Sequence, residues 1–340
     1  MKTFLNGKNI LVTGGTGSFG NSFIKRIITD YSDVGRLVIF SRDELKQYQM
    51  MEELYKIKKS KINFVRFFLG DVRDKDRLKT AFNNIDIVVH AAALKQVPAA
   101  EYNPFEFIKT NIIGAENIIE AALESNIKNV IALSTDKAVA PINLYGATKL
   151  CSDKLFTAAN NIVGSKDIKF SVVRYGNVMN SRGSVFPIFY KNRFKEYLPI
   201  TDEKMSRFNI NLPEAVDLVI WSIKNNFGGE VFVPKISSYK IVDLAKAVAP
   251  KCKFKIIGIR PGEKIHEELI SSAESINTFD LNYCYSIISQ SNQKLSNYYK
   301  KKKFKKVAEN FTYNSGSNKE VLKILDLKNI IKSEKLSNPL

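Results

Sequence analysis

Short apolar runs alternate with amphipathic stretches through the first half of the chain. N-I-L-V-T (9–13), R-L-V-I-F (36–40), N-F-V-R-F-F-L (63–69) and I-D-I-V-V-H (85–90) read as strands. V-I-A-L-S (130–134) and F-S-V-V-R-Y (170–175) continue the series. The first of the six reads as a short buried strand. Between them lie helical patterns: N-S-F-I-K-R-I-I-T-D after the first strand, then 101–125 and 145–160. The repeated β-α-β order predicts an α/β fold, a doubly wound parallel sheet of Rossmann type. A helix over 212–225 and a strand over 230–233 predict that the chain returns to this sheet. A dinucleotide-binding domain over 1–180, with a return around 210–235, is therefore expected to interleave with a smaller domain over 181–290. Residues 291–340 form a basic segment that carries no motif.

At 340 residues, one large domain or two smaller ones are allowed. No apolar run is long enough for a membrane helix. The first residues lead directly into a strand and lack the apolar core of a leader peptide. Cys151, Cys252 and Cys284 are isolated and odd in number, which suits a reducing cytoplasm. With His90 and His266 as the only histidines, neither a histidine metal site nor a serine-hydrolase triad is expected. The net charge of +18 raises the question of nucleic acid. The lysines are dispersed, however, and the one dense run is Lys300 to Lys306. The expectation is no nucleic-acid and no membrane partner, with a basic surface suited to an anionic nucleotide.

The first strand runs into G-G-T-G-S-F-G, with Gly14, Gly17 and Gly20 spaced three apart and Thr16, Ser18 and Phe19 between and beside them. A strand before and a helix after make this a dinucleotide turn. Glycine allows close backbone approach to a pyrophosphate, and the helix start supplies N–H donors. After the second strand come Ser41, Arg42 and Asp43, with Lys46 a turn later. A basic residue where an acid would hold ribose hydroxyls favours NADP over NAD. The alternative is a surface Arg42 at a helix start that Asp43 caps. Asp71 and Val72, after the third strand, are placed for adenine. Ala91, Ala92 and Ala93, after the fourth, leave room for a flat ring.

The richest stretch is S-T-D-K-A-V-A-P-I-N-L-Y-G-A-T-K (134–149). Tyr145 and Lys149 are four apart and share one helix face. A nearby ammonium favours the phenolate, so this spacing predicts a tyrosine pKa drawn towards neutrality and a base for a sugar hydroxyl. Thr135, Asp136 and Lys137 precede it at a strand end.

Together T-G-G-T-G-S-F-G (13–20), G-D-V-R-D (70–74), H-A-A-A (90–93), S-T-D-K and Y-G-A-T-K resemble the extended short-chain dehydrogenase/reductase superfamily. Within it the chain resembles the inverting UDP-N-acetylglucosamine 4,6-dehydratases of pseudaminic acid synthesis. S-R-D-E-L-K-Q (41–47), A-A-A-L-K-Q-V-P (91–98), R-Y-G-N-V-M-N-S-R-G-S-V-F-P (174–187), G-G-E-V-F-V-P-K-I-S-S-Y-K (228–240) and R-P-G-E-K-I-H-E-E (260–268) carry that narrower likeness. Retaining relatives have Thr-Asp-Glu where this chain has Thr135-Asp136-Lys137. The resemblance implies an internal redox dehydration with bound NADP. Tyr145, aided by Lys149, takes the C4 hydroxyl proton as hydride leaves C4. Lys137, when neutral, removes the C5 proton, Asp136 protonates the departing C6 hydroxyl, and the two roles can be coupled or exchanged. Hydride then returns to C6, and C5 is reprotonated with inversion. Thr135 bonds the 4-oxygen, and Lys95 touches nicotinamide ribose and substrate. The resemblance also implies that Asn177, Val178, Arg182, Thr201, Arg207, Arg260 and Glu263 hold the nucleotide sugar. It suggests a cytoplasmic homo-oligomer, a hexamer, serving flagellin or surface glycosylation.

Two other readings use the same residues. A UDP-sugar C4 or C5 epimerase would keep Tyr145 and Lys149 but conserve substrate mass. A non-catalytic NADP-binding sensor would keep the fold without turnover, although such proteins often lose the Tyr or the Lys.

Overall fold

The computed structural model describes residues 2–31, 33–57, 62–179, 184–290 and 292–337. Its first six strands are β1 (Asn9–Thr13), β2 (Arg36–Ser41), β3 (Val65–Leu69), β4 (Ile87–His90), β5 (Asn129–Thr135) and β6 (Lys169–Tyr175). Each lies within a few residues of an apolar run in the sequence. They pair in parallel in the order β3-β2-β1-β4-β5-β6. From β1 to β6, except at the β3 edge, the strand interiors are buried, as a sheet covered by helices on both faces requires. Chain order reverses between β1 and β4. Sheets of this kind bind ligands at such a switch point, beyond the carboxyl ends of the strands.

The rest of the chain adds β7 (Tyr197–Ile200), β8 (Ser206–Phe208), β9 (Val231–Pro234), β10 (Ser238–Lys240), β11 (Lys253–Ile256) and β12 (Glu268–Ile270). Then follow β13 (Thr278–Asp280), β14 (Cys284–Ile287), β15 (Lys305–Lys306) and β16 (Tyr313–Asn314). β9 joins β6 in parallel, and β14, β13 and β15 extend the main sheet antiparallel. The helix Leu212–Asn225 packs on β5, β6 and the helix Ser18–Asp30, so the chain does return to the first layer. Three two-stranded pairs, β8–β10, β7–β11 and β12–β16, stand beyond the sheet. A second apolar core lies there, around Phe186, Phe189, Leu198, Ile200, Tyr239 and Leu244.

Two features depart from the sequence pattern. The expected helix over 101–125 is broken into Val97–Tyr102, Pro104–Ile108, a π-helical turn Lys109–Ile113 and Gly114–Leu123. Asn103 leaves helical geometry because it precedes Pro104. The basic C-terminal segment is not an appendage. β15 edges the main sheet, β16 pairs with β12, and the helix Ile324–Ser337 buries Leu327 and Ile331 in the second core. No helix among the described residues is long and apolar enough to cross a membrane.

Candidate active site

A cleft of about 530 Å³ opens at the carboxyl ends of β1, β4, β5 and β6. Its first wall is the glycine turn. Gly14 has φ +64°, and a Cβ there would come within 2.8 Å of the Ala92 backbone. A Cβ on Gly20 would meet the Gly15 backbone at 2.5 Å. These glycines let the turn close against the β4 loop and the helix start. The helix Ser18–Asp30 has Gly17 as its N-cap, no side-chain cap and no acid in its first turn. Its first-turn N–H groups and positive dipole end fit a pyrophosphate. Gly14, Gly17, Ser18, Phe19 and Gly20 line the cleft, and so do Ala91, Ala92 and Ala93. Thr16 stands half-exposed on the turn itself.

The residues expected at the ribose and the adenine sit outside the cleft lining. Ser41 is buried, and Gln47 Nε2 donates to its hydroxyl (3.0 Å) and carbonyl (3.1 Å). Asp43 starts the next helix, accepting from Lys46 N at 3.0 Å and pairing with Lys46 Nζ at 2.6 Å. Asp71 is held by Arg73 at 2.7 Å and by the half-exposed Arg42 at 3.4 Å. Burial alone would raise the Asp71 pKa, but the Arg73 hydrogen bonds and the Arg42 charge hold it below the usual range. Val72 is buried against Gly114 and accepts from Asn117 through its carbonyl, so it positions the loop.

The floor is the segment from β5 to the helix Leu144–Ala158. Thr135 caps the short turn Asp136–Ala138, and Asn143 caps the helix, accepting from Gly146 N at 2.8 Å. Ala140 between them has φ +41°, a strained value for a residue with a Cβ. Gly146 has no space for a side chain, since a Cβ would lie 2.1 Å from the Lys137 carbonyl oxygen before relaxation. Tyr145 and Lys149 then share the buried face of the helix. Burial pushes the Tyr145 phenol up to about 12, against the pull of the Lys137 charge and a Thr135 hydrogen bond. This corrects the sequence expectation of a phenol drawn down by Lys149. Lys149 is itself lowered by burial, with Asp153 opposing. Asp153 also accepts from Ser134 Oγ at 2.7 Å, and Arg174 lies 3.4 Å from it and 2.9 Å from Glu274.

His90 ends β4 and shares a 2.8 Å hydrogen bond with Thr13 Oγ1 at the end of β1. Burial and the Lys149 charge depress its pKa from 6.5 to about 3. A depressed folded-state pKa means stability that is complete above the unfolded value and lost as pH falls. Thermal melts should therefore show wild type losing stability below pH 6.5 faster than His90→Asn. The difference should approach about 1.4 kcal/mol per pH unit. Parallel curves would refute a buried neutral imidazole.

Lys137 turns into the cleft between carboxylates, with Nζ 3.0 Å from Asp136 Oδ1 and 3.3 Å from Glu267 Oε1. Burial would lower its pKa, but the two carboxylates outweigh burial and the Arg207 charge, so it is raised. Asp136 Oδ1 also accepts from Thr135 at 2.9 Å, while its Oδ2 is buried without a partner. Lys95 lines the same space, its pKa lowered by burial and by Lys137.

The far wall carries the remaining candidates. Asn177, Val178, Thr201, Arg260 and Glu263 all line it. Asn177 Oδ1 and Glu263 Oε2 are buried without partners, and Arg260 stands 3.8 Å from Glu263 Oε1. Arg207 lines the cleft too. It is buried, donates to the Ser206 and Ile265 carbonyls, and lies 3.7 Å from Glu267. Arg182 lies outside the described residues.

Sequence reasoning missed three residues that serve this floor. Glu267 was one charge among several in R-P-G-E-K-I-H-E-E. Asp153 is an acid two turns beyond Tyr145 on the same helix. Asn111 emerges from the π turn and ties Leu94 to Thr148, accepting from Leu94 N at 2.9 Å and donating to Thr148 Oγ1 at 3.0 Å.

A family described as polysaccharide biosynthesis protein matches residues 10–289. An inverting UDP-N-acetylglucosamine 4,6-dehydratase of Campylobacter jejuni is 50% identical over 334 residues, 94% of this chain and 98% of that protein. A UDP-glucose 4-epimerase of Rickettsia bellii is 43% identical over 288 residues, 82% of each. The X-ray structure of Pen from Bacillus thuringiensis is similar at a TM-score of 0.87 and 36% identity, across 98% of this chain and 99% of that one.

Proposed function

This chain belongs to the polysaccharide biosynthesis protein family, among the extended short-chain dehydrogenase/reductases, and we propose that it is an inverting UDP-N-acetylglucosamine 4,6-dehydratase. The observation that carries the reading is the Asp136–Lys137 pair, set 3.0 Å apart on the floor that also holds Tyr145. A 4-epimerase needs a base for the C4 hydroxyl. A dehydratase needs, in addition, a base at C5 and an acid for the C6 hydroxyl.

In this reading the glycine turn and the helix start hold the pyrophosphate of a nicotinamide dinucleotide, and Ala91–Ala93 leave room for its ring. That cofactor, when bound, supplies the hydride acceptor for C4 and the donor for C6. Tyr145 takes the C4 hydroxyl proton, with Thr135 steering the oxygen and Lys149 supplying charge beneath. One proton passing from Lys137 to Asp136 creates an amine base and a carboxylic acid together. Asp136 Oδ1, 3.0 Å from Lys137 Nζ, receives that proton, and the carboxylic acid gives it to the departing C6 hydroxyl. Lys137 then takes the C5 proton. Arg260, Glu263 and Asn177, with Val178 and Thr201, hold the UDP moiety and sugar.

Incubation with UDP-N-acetylglucosamine in D2O tests this, followed by NMR and mass spectrometry. A 4-keto-6-deoxy product with deuterium at an inverted C5 is expected. Water loss with retained C5 would end the inverting assignment. Unchanged mass with a new C4 centre would make the protein an epimerase like its Rickettsia relative.

The cofactor we assign is NADP. Arg42 reaches the Asp71 carboxylate from outside the cleft, where a 2′-phosphate would compete for it. Arg42→Ala should weaken NADP+ about tenfold or more and leave NAD+ nearly unchanged, read by fluorescence titration. Equal losses for both would remove the assignment. The three free cysteines fit a cytoplasmic setting, and we include a homo-oligomer in the proposal.

A further inference from the structure

The geometry points to Glu267 as a positioning residue for Lys137, one that fixes where Nζ lies while its proton passes to Asp136 and while it receives the C5 proton. Its carboxylate is buried, 3.3 Å from Lys137 Nζ through Oε1, and its Oε2 is buried with no hydrogen bond. A partnerless buried carboxylate oxygen is costly, and a stable fold keeps one where function uses the charge. Asp136 is the other carboxylate paired with Lys137. That acid must give up its proton during elimination and cannot by itself fix where Nζ points.

The surroundings hold Glu267 in place. Its backbone N–H donates to Ser315 Oγ at 2.9 Å, and its carbonyl accepts from Ser315 N at 2.8 Å. Ser315 Oγ contacts Ser206 Oγ at 2.8 Å, and Ser206 contacts His266 Nδ1 at 2.8 Å. The same segment reaches the loop between the two reactive residues. Lys264 Nζ donates to the Val139 carbonyl at 2.6 Å, and Asn143 Nδ2 donates to the Gly262 carbonyl at 2.8 Å. Residues 260–267 thus carry the proposed nucleotide contacts, the brace on the strained Ala140 turn, and the carboxylate at Lys137.

The charge argument fixes which step depends on Glu267. As the Lys137 amine takes the C5 proton, the C5–H electron pair becomes the C5–C6 double bond. The C6–O pair leaves with the Asp136 proton as water. Lys137 returns from neutral to the cationic form in which it rests, so Glu267, with Arg207 3.7 Å behind it, acts by holding Nζ at the C5 hydrogen and not by a net gain in charge stabilisation. Tyr145, Tyr239 and Lys95 are further titratable groups that interact with this cluster. Oxidation at C4 changes no charge on Lys137, so Glu267 reaches that step only indirectly, through the Lys137 charge on the Tyr145 phenol.

This rests on the dehydratase reading. The test follows C4 oxidation, as absorbance of reduced nicotinamide, and C5 deuterium uptake in one turnover of the NADP-loaded enzyme with UDP-N-acetylglucosamine. Glu267→Gln should keep oxidation within about threefold and, by letting Nζ shift from the C5 hydrogen, lose about a hundredfold in C5 exchange and water loss. Glu267→Asp, with the charge kept but drawn back, should recover part of that loss. Equal loss of both steps would mean a structural role, and no loss in either would mean none; each outcome overturns the proposal. Should Glu267→Gln not fold, the same split measured on Glu267→Asp decides, since a scaffold residue would not slow elimination selectively. A wild-type enzyme that never loses water would instead defeat the dehydratase reading.

Discussion

Lys137→Met will halt the reaction at the 4-ketone. Methionine keeps the length and much of the packing of lysine but has no basic atom. Water loss should fall by about a thousandfold, within the range that a positioned general base contributes. Reduction of bound nicotinamide in a single turnover should persist, because Tyr145 and Thr135 remain, but more slowly, because the Lys137 charge that favours the phenolate is gone. The reduced cofactor and the 4-keto sugar would then accumulate, and no deuterium would enter C5. The substitution also strands Asp136 and Glu267, both buried, and breaking a buried pair costs roughly 3–5 kcal/mol. Melting curves must therefore accompany the kinetics, so that a folding loss is not read as a loss of chemistry. Deuterium at C5 at the wild-type rate would show that another group is the base.

The raised pKa of Lys137 sharpens this prediction. The sequence left two opposing effects open, burial pushing down and Asp136 pushing up. Glu267 breaks the tie, because a second carboxylate 3.3 Å away favours the ammonium. A free-standing amine is therefore not the resting form. A proton passed to Asp136 across 3.0 Å makes the base without releasing charge to solvent, and it makes the acid in the same move.

The parts legible in the sequence are those fixed by short-range rules. β1 to β6 announce themselves as apolar runs because a sheet covered on both faces leaves no polar alternation to confuse. Gly14 and Gly20 are legible because backbone comes so close that only glycine fits. Tyr145 and Lys149 are legible because helix periodicity alone sets them on one face. What stayed hidden depends on distant pairing. Glu267 meets Lys137 from far along the chain, and no spacing rule connects them. Asn111 is aimed by a π turn, which an apolar period cannot register. The C-terminal segment looked inert because it contributes through edge pairing and a few buried side chains. Leu327 and Ile331 among them sit in a stretch whose polar composition masks them. Gly316 presses so close to the His266 ring that a Cβ would lie 2.6 Å away, yet nothing local marks that glycine.

Tyr145→Phe should stop the reaction one step earlier than Lys137→Met, and the contrast separates the two roles. Phenylalanine fills the same space on a buried helix face, so stability should change little. Without the phenol oxygen the C4 hydroxyl proton has no acceptor, and neither reduced nicotinamide nor ketone should form. The expected loss is about a thousandfold to ten-thousandfold in both C4 oxidation and product formation. Deuterium at C5 should vanish as well, because the C5 hydrogen becomes acidic only after the ketone exists. The pH dependence follows from burial. A phenol held up at about 12 is mostly protonated near neutrality, so wild-type C4 oxidation should speed up as pH rises. The residual rate of Tyr145→Phe should lack that rise. If the variant still oxidised C4 at the wild-type rate, the acceptor would have to be sought among the other groups of the floor, with Thr135 and Lys137 first, since both already act on the phenol.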